Sequence, residues 1–187
     1  MAGQAAKAMV HEDCTPEERI PDAAENRAVR LGIAFHEAME RVDLFCQGDL
    51  TRYTQELVAK HKLDREGMLK LEEMMRASLS SELLERTRAA ARSGRRVLRE
   101  LPFARPVWQG AIEEGKIDLI FEEETGWILV DYKTDWVSKD VGSVEDFFRN
   151  KYAGQIGEYL RALQSLSVKV TSAYLLLART GTAIQLV

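Results

Sequence analysis

Cysteine is scarce in this 187-residue chain: Cys14 and Cys46 stand far apart, with no CxxC spacing between them. Two such thiols cannot by themselves assemble a zinc site or an iron–sulfur cluster, and they are expected to stay reduced. Long apolar runs are missing too. No stretch approaches the ~18 residues of a membrane span, and the opening MAGQAAKAMVHEDC lacks the basic-then-apolar layout of a signal peptide. The expectation is a cytoplasmic protein with no membrane partner. Internal repeats and low-complexity segments are absent. Nor is there a surplus of positive charge: the net charge of −4 argues against a protein whose whole surface grips nucleic acid.

What is present suits one globular domain, since 45% hydrophobic and 30% charged residues provide a core and a soluble surface. Residues 1–24 carry Pro16, Pro21 and no lasting period, and read as an irregular lead-in. From Asn26 to about Phe45, Val29, Leu31, Phe35, Ala38, Met39 and Val42 recur at helical spacing, with Asn26 or an earlier residue as N-cap. Further helices are predicted at about 51–60, 65–78 and 81–92, the last capped by Ser80 or Ser81 and closing near Gly94.

The pattern changes after Gly94. Val97-Leu98, Phe103, Val107-Trp108, Ile117 to Phe121 and Trp127 to Tyr132 are short β-prone runs, and Glu124-Thr125-Gly126 reads as a hairpin turn. A helix resumes at Ser143, and Val168 to Ala178 and Thr182 to Val187 read as closing strands. The fold class is therefore α/β: a mixed sheet flanked by helices, with a helical front over 25–94 and an α/β core over 95–187, all one domain. Arg86, Arg88, Arg92, Arg95, Arg96 and Arg99 form a basic run that is either a solvated helix face or a phosphate-contacting strip.

Within the strand region, Asp131 and Lys133 in LVDYKTDW point to the same face, roughly 7 Å apart along the strand. A charged pair at the end of an apolar strand is costly unless paired or bound to metal. One hairpin earlier, Asp118 interrupts the apolar strand of GKIDLIF, and adjacent antiparallel strands can bring it within reach of Asp131. Two close carboxylates repel unless a cation sits between them. Hard oxygen ligands suit Mg²⁺ or Mn²⁺, and a neighbouring lysine can activate water or offset phosphate charge. The segment Gly110 to Lys116 superficially matches a phosphate loop, but Ile117 replaces the Ser/Thr that would hold Mg²⁺ and a strand follows where a helix is required. Gly32, His36 and Glu40 form a row on the first helix, separate from its apolar stripe. Tyr152, Gln155 and Tyr159 share a face of the later helix.

Taken in order, GIAFHEAME, RELPF, GKIDLIF, DYKTD and YAGQIGEY resemble the RecB/AddA-type nucleases of the PD-(D/E)xK superfamily, from about Gly32 to the C-terminus. The resemblance implies a restriction-endonuclease-like fold and a Mg²⁺-dependent (or Mn²⁺-dependent) deoxyribonuclease of exonuclease type. It implies metal-binding or supporting roles for His36, Asp118 and Asp131, the backbone oxygen of Tyr132 as a further ligand, and Lys133 as catalytic lysine. Glu100 would lie beside the site, and Gln155 and Tyr159, with Tyr152 on their face, would line the DNA path. It further implies single-stranded DNA delivered by an N-terminal helicase motor, a second subunit, and a role in double-strand break repair and recombination. Some relatives carry four cysteines for an iron–sulfur cluster; their absence here favours the AddA-like branch. A catalytically silent DNA-binding module that keeps the nuclease fold is the alternative.

Overall fold

A computed structural model describes residues 23–45, 50–106, 112–137 and 142–187. Most of the predicted lead-in, both cysteines and Val107-Trp108 lie outside the described residues. The helical front comprises α1 (Ala23–Arg41), α2 (Leu50–Lys60), α3 (Arg65–Leu79) and α4 (Glu82–Arg92). The core follows with β1 (Val97–Pro106), β2 (Ile112–Glu123), β3 (Gly126–Lys133), α5 (Val144–Ser165), β4 (Val170–Leu177) and β5 (Thr182–Gln185). Among the described residues, no helix is long and apolar enough to cross a membrane.

Two boundaries differ from expectation. Helix α1 starts before Asn26 and stops at Arg41, short of Phe45. Past Val42 the Asp43 carboxylate accepts the Phe45 N–H at 2.9 Å, a local turn that competes with continued helix. The other helix starts follow side-chain capping. Asp64 accepts the Gly67 N–H for α3, Ser81 the Leu84 N–H for α4, and Ser143 the Asp146 N–H for α5.

The strands form one sheet in the order β1-β2-β3-β4-β5. Pairing is antiparallel except between β3 and β4, which run parallel because α5 crosses between them. The β2–β3 hairpin turns at Glu124-Thr125, and Gly126 opens β3 with φ +145°, where a side chain would collide with the Lys169 carbonyl at 2.8 Å.

Each face of the sheet carries its own core. Phe35, Met39, Leu71, Met75 and Leu84 from the helical front cover Leu119, Phe121, Val130 and Tyr132. Phe148, Ile156, Tyr159 and Leu163 of α5 cover Ile117, Ile120, Leu129 and Leu175 on the other face. Ile117 and Leu119 are two residues apart yet belong to opposite cores, so the alternation of β2 breaks at Asp118. The β1–β2 ladder is interrupted at the same point: Arg99 pairs with Leu119 and Leu101 with Ile117, the Glu100–Asp118 pair between them is missing although the register is unchanged, and Glu100 adopts φ +48°.

Candidate active site

The break in β2 coincides with the end of its pairing to β3. The two strands pair from Glu123–Gly126 to Leu119–Val130 and then separate. The Asp118 side chain occupies the gap, where its Oδ2 accepts the Tyr132 N–H at 2.6 Å in place of a strand partner. Its Oδ1 lies 3.0 Å from Nδ1 of His36, which α1 lowers onto the sheet end. Helix α1 comes this close because residue 32 is glycine: a Cβ there would stand 3.1 Å from Oγ1 of Thr134, just past β3. The left-handed backbone at Glu100 turns its carboxylate into the same place. His36, Glu100 and Asp118 each offer a ligand atom, all within 4.8 Å of one another. Lys116 stands 3.5 Å from Glu100 on the outer side.

Asp131 sits behind this group on the α5 side, 2% exposed at its side chain, with Lys133 Nζ 2.6 Å from its Oδ2. That contact is a close ion pair, and the Tyr159 hydroxyl also bears on this buried carboxyl. Lys133 is held from two other directions. It donates to Oε1 of Gln155 at 2.8 Å and lies 3.9 Å from the Tyr152 ring centroid, a cation–π contact. Gln155 in turn donates to the Tyr159 hydroxyl at 2.6 Å, and Tyr152 donates to Asp135 at 2.7 Å.

The charges in this cluster oppose one another. Burial raises the Asp131 carboxyl to about 6, and the neighbouring Asp118 charge adds to the rise against the pull of Lys133. Burial also raises Glu100, again with Asp118 contributing. Burial disfavours the imidazolium of His36, but the hydrogen bond and charge of Asp118, backed by Asp131 and Glu100, outweigh it and the pKa rises. Tyr152 is pushed up to about 12 by burial and its bond to Asp135. Two carboxyl groups whose ionisation is opposed by burial and by the Asp118 charge, together with Asp118 itself and an imidazole, form a donor set that a hard divalent cation would neutralise. The residues therefore fit such an ion.

The structure thus gathers His36, Glu100, Asp118, Asp131, Lys133 and Gln155 at one sheet end. Glu100 stands inside the potential ligand group, closer than its sequence position suggested. Tyr159 is 7% exposed and meets the cluster at both Gln155 and Asp131, while Tyr152 and Gln155 are half-buried at its rim. Tyr132 stands opposite Leu176 in the parallel β3–β4 pair, while its N–H turns the other way, toward Asp118. A shallow hollow of about 490 Å³, lined by His36, Glu37, Glu40, Arg41, Lys60 and Glu100 among others, opens beside the group. The link from Glu37 to Lys60 and His61, at 2.6 and 2.7 Å, was not apparent from spacing because it joins α1 to the end of α2.

The basic run resolves into internal pairing. Arg86 forks onto Glu123, Arg95 meets Glu124, Arg96 meets Glu122, and Arg92 meets Glu85. Arg88 binds the Leu44 carbonyl and Glu85, and Arg99 the Met39 and Val42 carbonyls. Of these, Arg86 and Arg99 fasten the helical front to the β1–β2 ribbon.

Comparison with known proteins agrees with this geometry. The sequence profile described as the PD-(D/E)XK nuclease superfamily matches residues 8–184. The chain is 33% identical over 172 residues to the A-type subunit of the ATP-dependent helicase/nuclease of Clostridium perfringens strain SM101, covering 79% of this chain and 13% of that protein. It is 31% identical over 183 residues to the like-named protein of Thermoanaerobacter sp. strain X514, covering 84% and 14%. It is 33% identical over 174 residues to that of Heliobacterium modesticaldum, covering 82% and 12%. The chain thus spans about an eighth of the length of these curated relatives.

Proposed function

The chain belongs to the PD-(D/E)XK nuclease superfamily, and from that premise we propose a metal-dependent deoxyribonuclease of exonuclease type, with Mg²⁺ or Mn²⁺ as its cofactor. The observation that carries the reading is the convergence of His36, Glu100 and Asp118 within 4.8 Å of one another, with Lys133 held beside them at Asp131. Residues 25–187 form the nuclease domain. By analogy with the relatives' names, it works in the cytoplasm as part of a helicase-nuclease, taking single strands from a motor and cooperating with a second protein chain in break repair and recombination.

His36, Glu100, Asp118 and Asp131 would hold the ion, with the Tyr132 carbonyl as a further donor. The bound cation supplies Lewis-acid stabilisation of charge on the scissile phosphate. Asp118 sets the geometry of the group, because its two oxygens are fixed by His36 and by the Tyr132 N–H. Lys133 presents an ammonium to the negative charge that grows on the phosphate during hydrolysis, or takes part in proton transfer from the attacking water. Its stem cannot swing away, since Gln155 and the Tyr152 ring flank it. That restraint matters: a displacement of about 1 Å at the reacting centre can cost ~100-fold in rate. Gln155 and Tyr152, at the rim, also meet the incoming strand, and Tyr159 acts through Gln155.

The test is cleavage of end-labelled single-stranded DNA by wild type and Lys133→Ala, together with Mn²⁺ titration calorimetry of Asp118→Ala. Lys133→Ala should lose cleavage and keep its fold, and Asp118→Ala should lose metal. Wild-type cleavage rates in folded Lys133→Ala would overturn the assignment. DNA binding without cleavage in either Mg²⁺ or Mn²⁺ would replace it with the silent binding module.

A further inference from the structure

A second basic feature lies along α1 from the proposed active site. Between the first turns of α1, the α2–α3 connection and the turn after β4 is a hollow of about 390 Å³. Its lining brings Arg27, Arg30, Lys62, Lys70 and Arg179 against only Asp64 and Glu66, a surplus of three positive charges in a chain whose net charge is −4. The two carboxylates are already engaged: Asp64 caps α3 and meets Arg27 at 3.5 Å, and Glu66 takes Lys70 at 2.5 Å. Among the described residues, Arg30, Lys62 and Arg179 have no carboxylate partner. Arg30 donates only Nε, to the Asn26 carbonyl at 3.3 Å, and Arg179 only Nε, to the Thr134 carbonyl at 3.0 Å. Among the described residues, the terminal nitrogens of both have no partner. This contrasts with the α4–β1 arginines, which are spent on glutamates and carbonyls.

The hollow is joined to the site by backbone. Arg179 holds the carbonyl of Thr134, the residue that follows Lys133, and Gly32 on α1 abuts the Thr134 side chain. Ala28, which lines the hollow, and Gly32 precede His36 by eight and four residues and so lie on the same side of α1, with Ala28 about 12 Å from His36 at 1.5 Å per residue. A polyanion whose scissile phosphate lies at His36 and Lys133 can therefore run along α1 into the hollow. Arg30, Lys62 and Arg179 come from three separate elements, so they surround an anion rather than meet it from one side.

We propose that this hollow is a second phosphate-contact site for the DNA strand, with Arg30, Lys62 and Arg179 binding backbone phosphates roughly two to four nucleotides from the one that is cleaved. The inference rests on the nuclease reading for the identity of the polyanion. The contacts carry no base information, so they would tighten binding uniformly across sequences and make it salt-dependent.

The experiment measures fluorescence anisotropy of a labelled thymidine oligonucleotide of about twenty residues in EDTA, over about 50 to 200 mM salt, for wild type and the double variant Arg30→Glu/Lys62→Glu. Hydrolysis of bis(para-nitrophenyl) phosphate with Mn²⁺ is followed in parallel, because that small diester cannot span from the reacting site to the hollow. Kd for the oligonucleotide is expected to rise about tenfold or more. The slope of log K against log salt should fall by about 1.4, or ~0.7 for each of two lost contacts. Small-diester hydrolysis should stay at the wild-type rate. Arg30→Gln/Lys62→Gln, which removes the same charges without adding opposite ones, should shift Kd and slope in the same direction. Unchanged Kd and slope in the folded Gln pair would overturn the proposal, even if charge reversal weakens binding. If wild type hydrolyses neither DNA nor the small diester, the nuclease reading falls, and the anisotropy series still decides the hollow.

Discussion

Replacing Asp131 with Asn should flatten the pH dependence of stability of the metal-free protein. The carboxyl is buried beside Asp118, and its folded pKa stands at about 6 against an ordinary 3.8. Because the folded value is raised, this group's contribution to stability is fully present below pH 3.8 and is lost as pH rises through about 6. At 1.36 kcal/mol per tenfold change in proton affinity, the full effect is about 3 kcal/mol, of which about 1.4 kcal/mol falls between pH 5 and pH 8. His36 acts in the same sense, since its raised pKa contributes stability below 6.5 that disappears above the folded value. Removing the Asp131 charge also withdraws one of the charges that raise His36, so both terms shrink together. Equilibrium urea unfolding in EDTA, at half-unit pH steps from 5 to 8, reads the difference directly. Wild type should lose stability relative to Asp131→Asn across that range by about 1.4 kcal/mol or somewhat more. Any constant offset from leaving Lys133 with only Gln155 and Tyr152 cancels in the comparison. Parallel profiles, within about 0.5 kcal/mol, would refute the claim that the site holds an unfavourably ionised carboxyl.

The remaining predictions separate the roles of the cluster. Gln155→Ala should slow DNA cleavage by roughly 10- to 100-fold through loss of the Lys133 restraint, with Mn²⁺ affinity by calorimetry close to wild type. Glu100→Gln should weaken Mn²⁺ binding by about tenfold or more, whereas unchanged affinity would place Glu100 outside the ligand set. Saturating Mg²⁺ should raise the thermal midpoint of wild type, by an amount equivalent to about 2.7 kcal/mol at a hundred times Kd, and leave that of Asp118→Ala unmoved. Arg86→Ala, which removes the fork onto Glu123 and the contact with the Tyr174 hydroxyl, should cost about 1–3 kcal/mol in urea unfolding without altering metal affinity.

The helices and the hairpin were legible because their signals are local. Ser81 caps α4 where a capping residue was expected, α5 begins at Ser143 where the helical period was read to resume, and Glu124-Thr125-Gly126 turns where a glycine allows a positive φ. Asp118, Asp131 and Lys133 stood out as charges inside apolar strands. Other features depend on long-range register and left no such mark. The arginine run admitted two readings from sequence, and only the pairing of β1 with β2 sets Arg95 and Arg96 beside Glu122 and Glu124. Gln155 likewise looked like a strand contact on a helix face; that it also grips Lys133 depends on how α5 lies across the sheet.

Glu100 shows why the site forms where regular structure fails. In an unbroken β1–β2–β3 ladder, Asp118 would point to one face only and Tyr132 would give its N–H to β2. Parting β2 from β3 beyond Leu119 and Val130 frees that N–H for the Asp118 carboxylate, and the interruption of the β1–β2 ladder at Glu100 and Asp118 lets the Glu100 side chain turn inward. Both departures cost stability: a non-glycine residue at φ +48° alone is worth about 1–3 kcal/mol. The crowded carboxyls add an electrostatic cost in the absence of a cation. The two dense cores that clamp the sheet from either face offset these costs, with Phe35 and Met39 of α1 packed on one side and Phe148 and Ile156 of α5 on the other. His36 and Gln155 project from those same two helices. The elements that stabilise the strained sheet end are therefore the ones that deliver its imidazole and restrain its lysine, so packing and chemistry cannot be altered independently there.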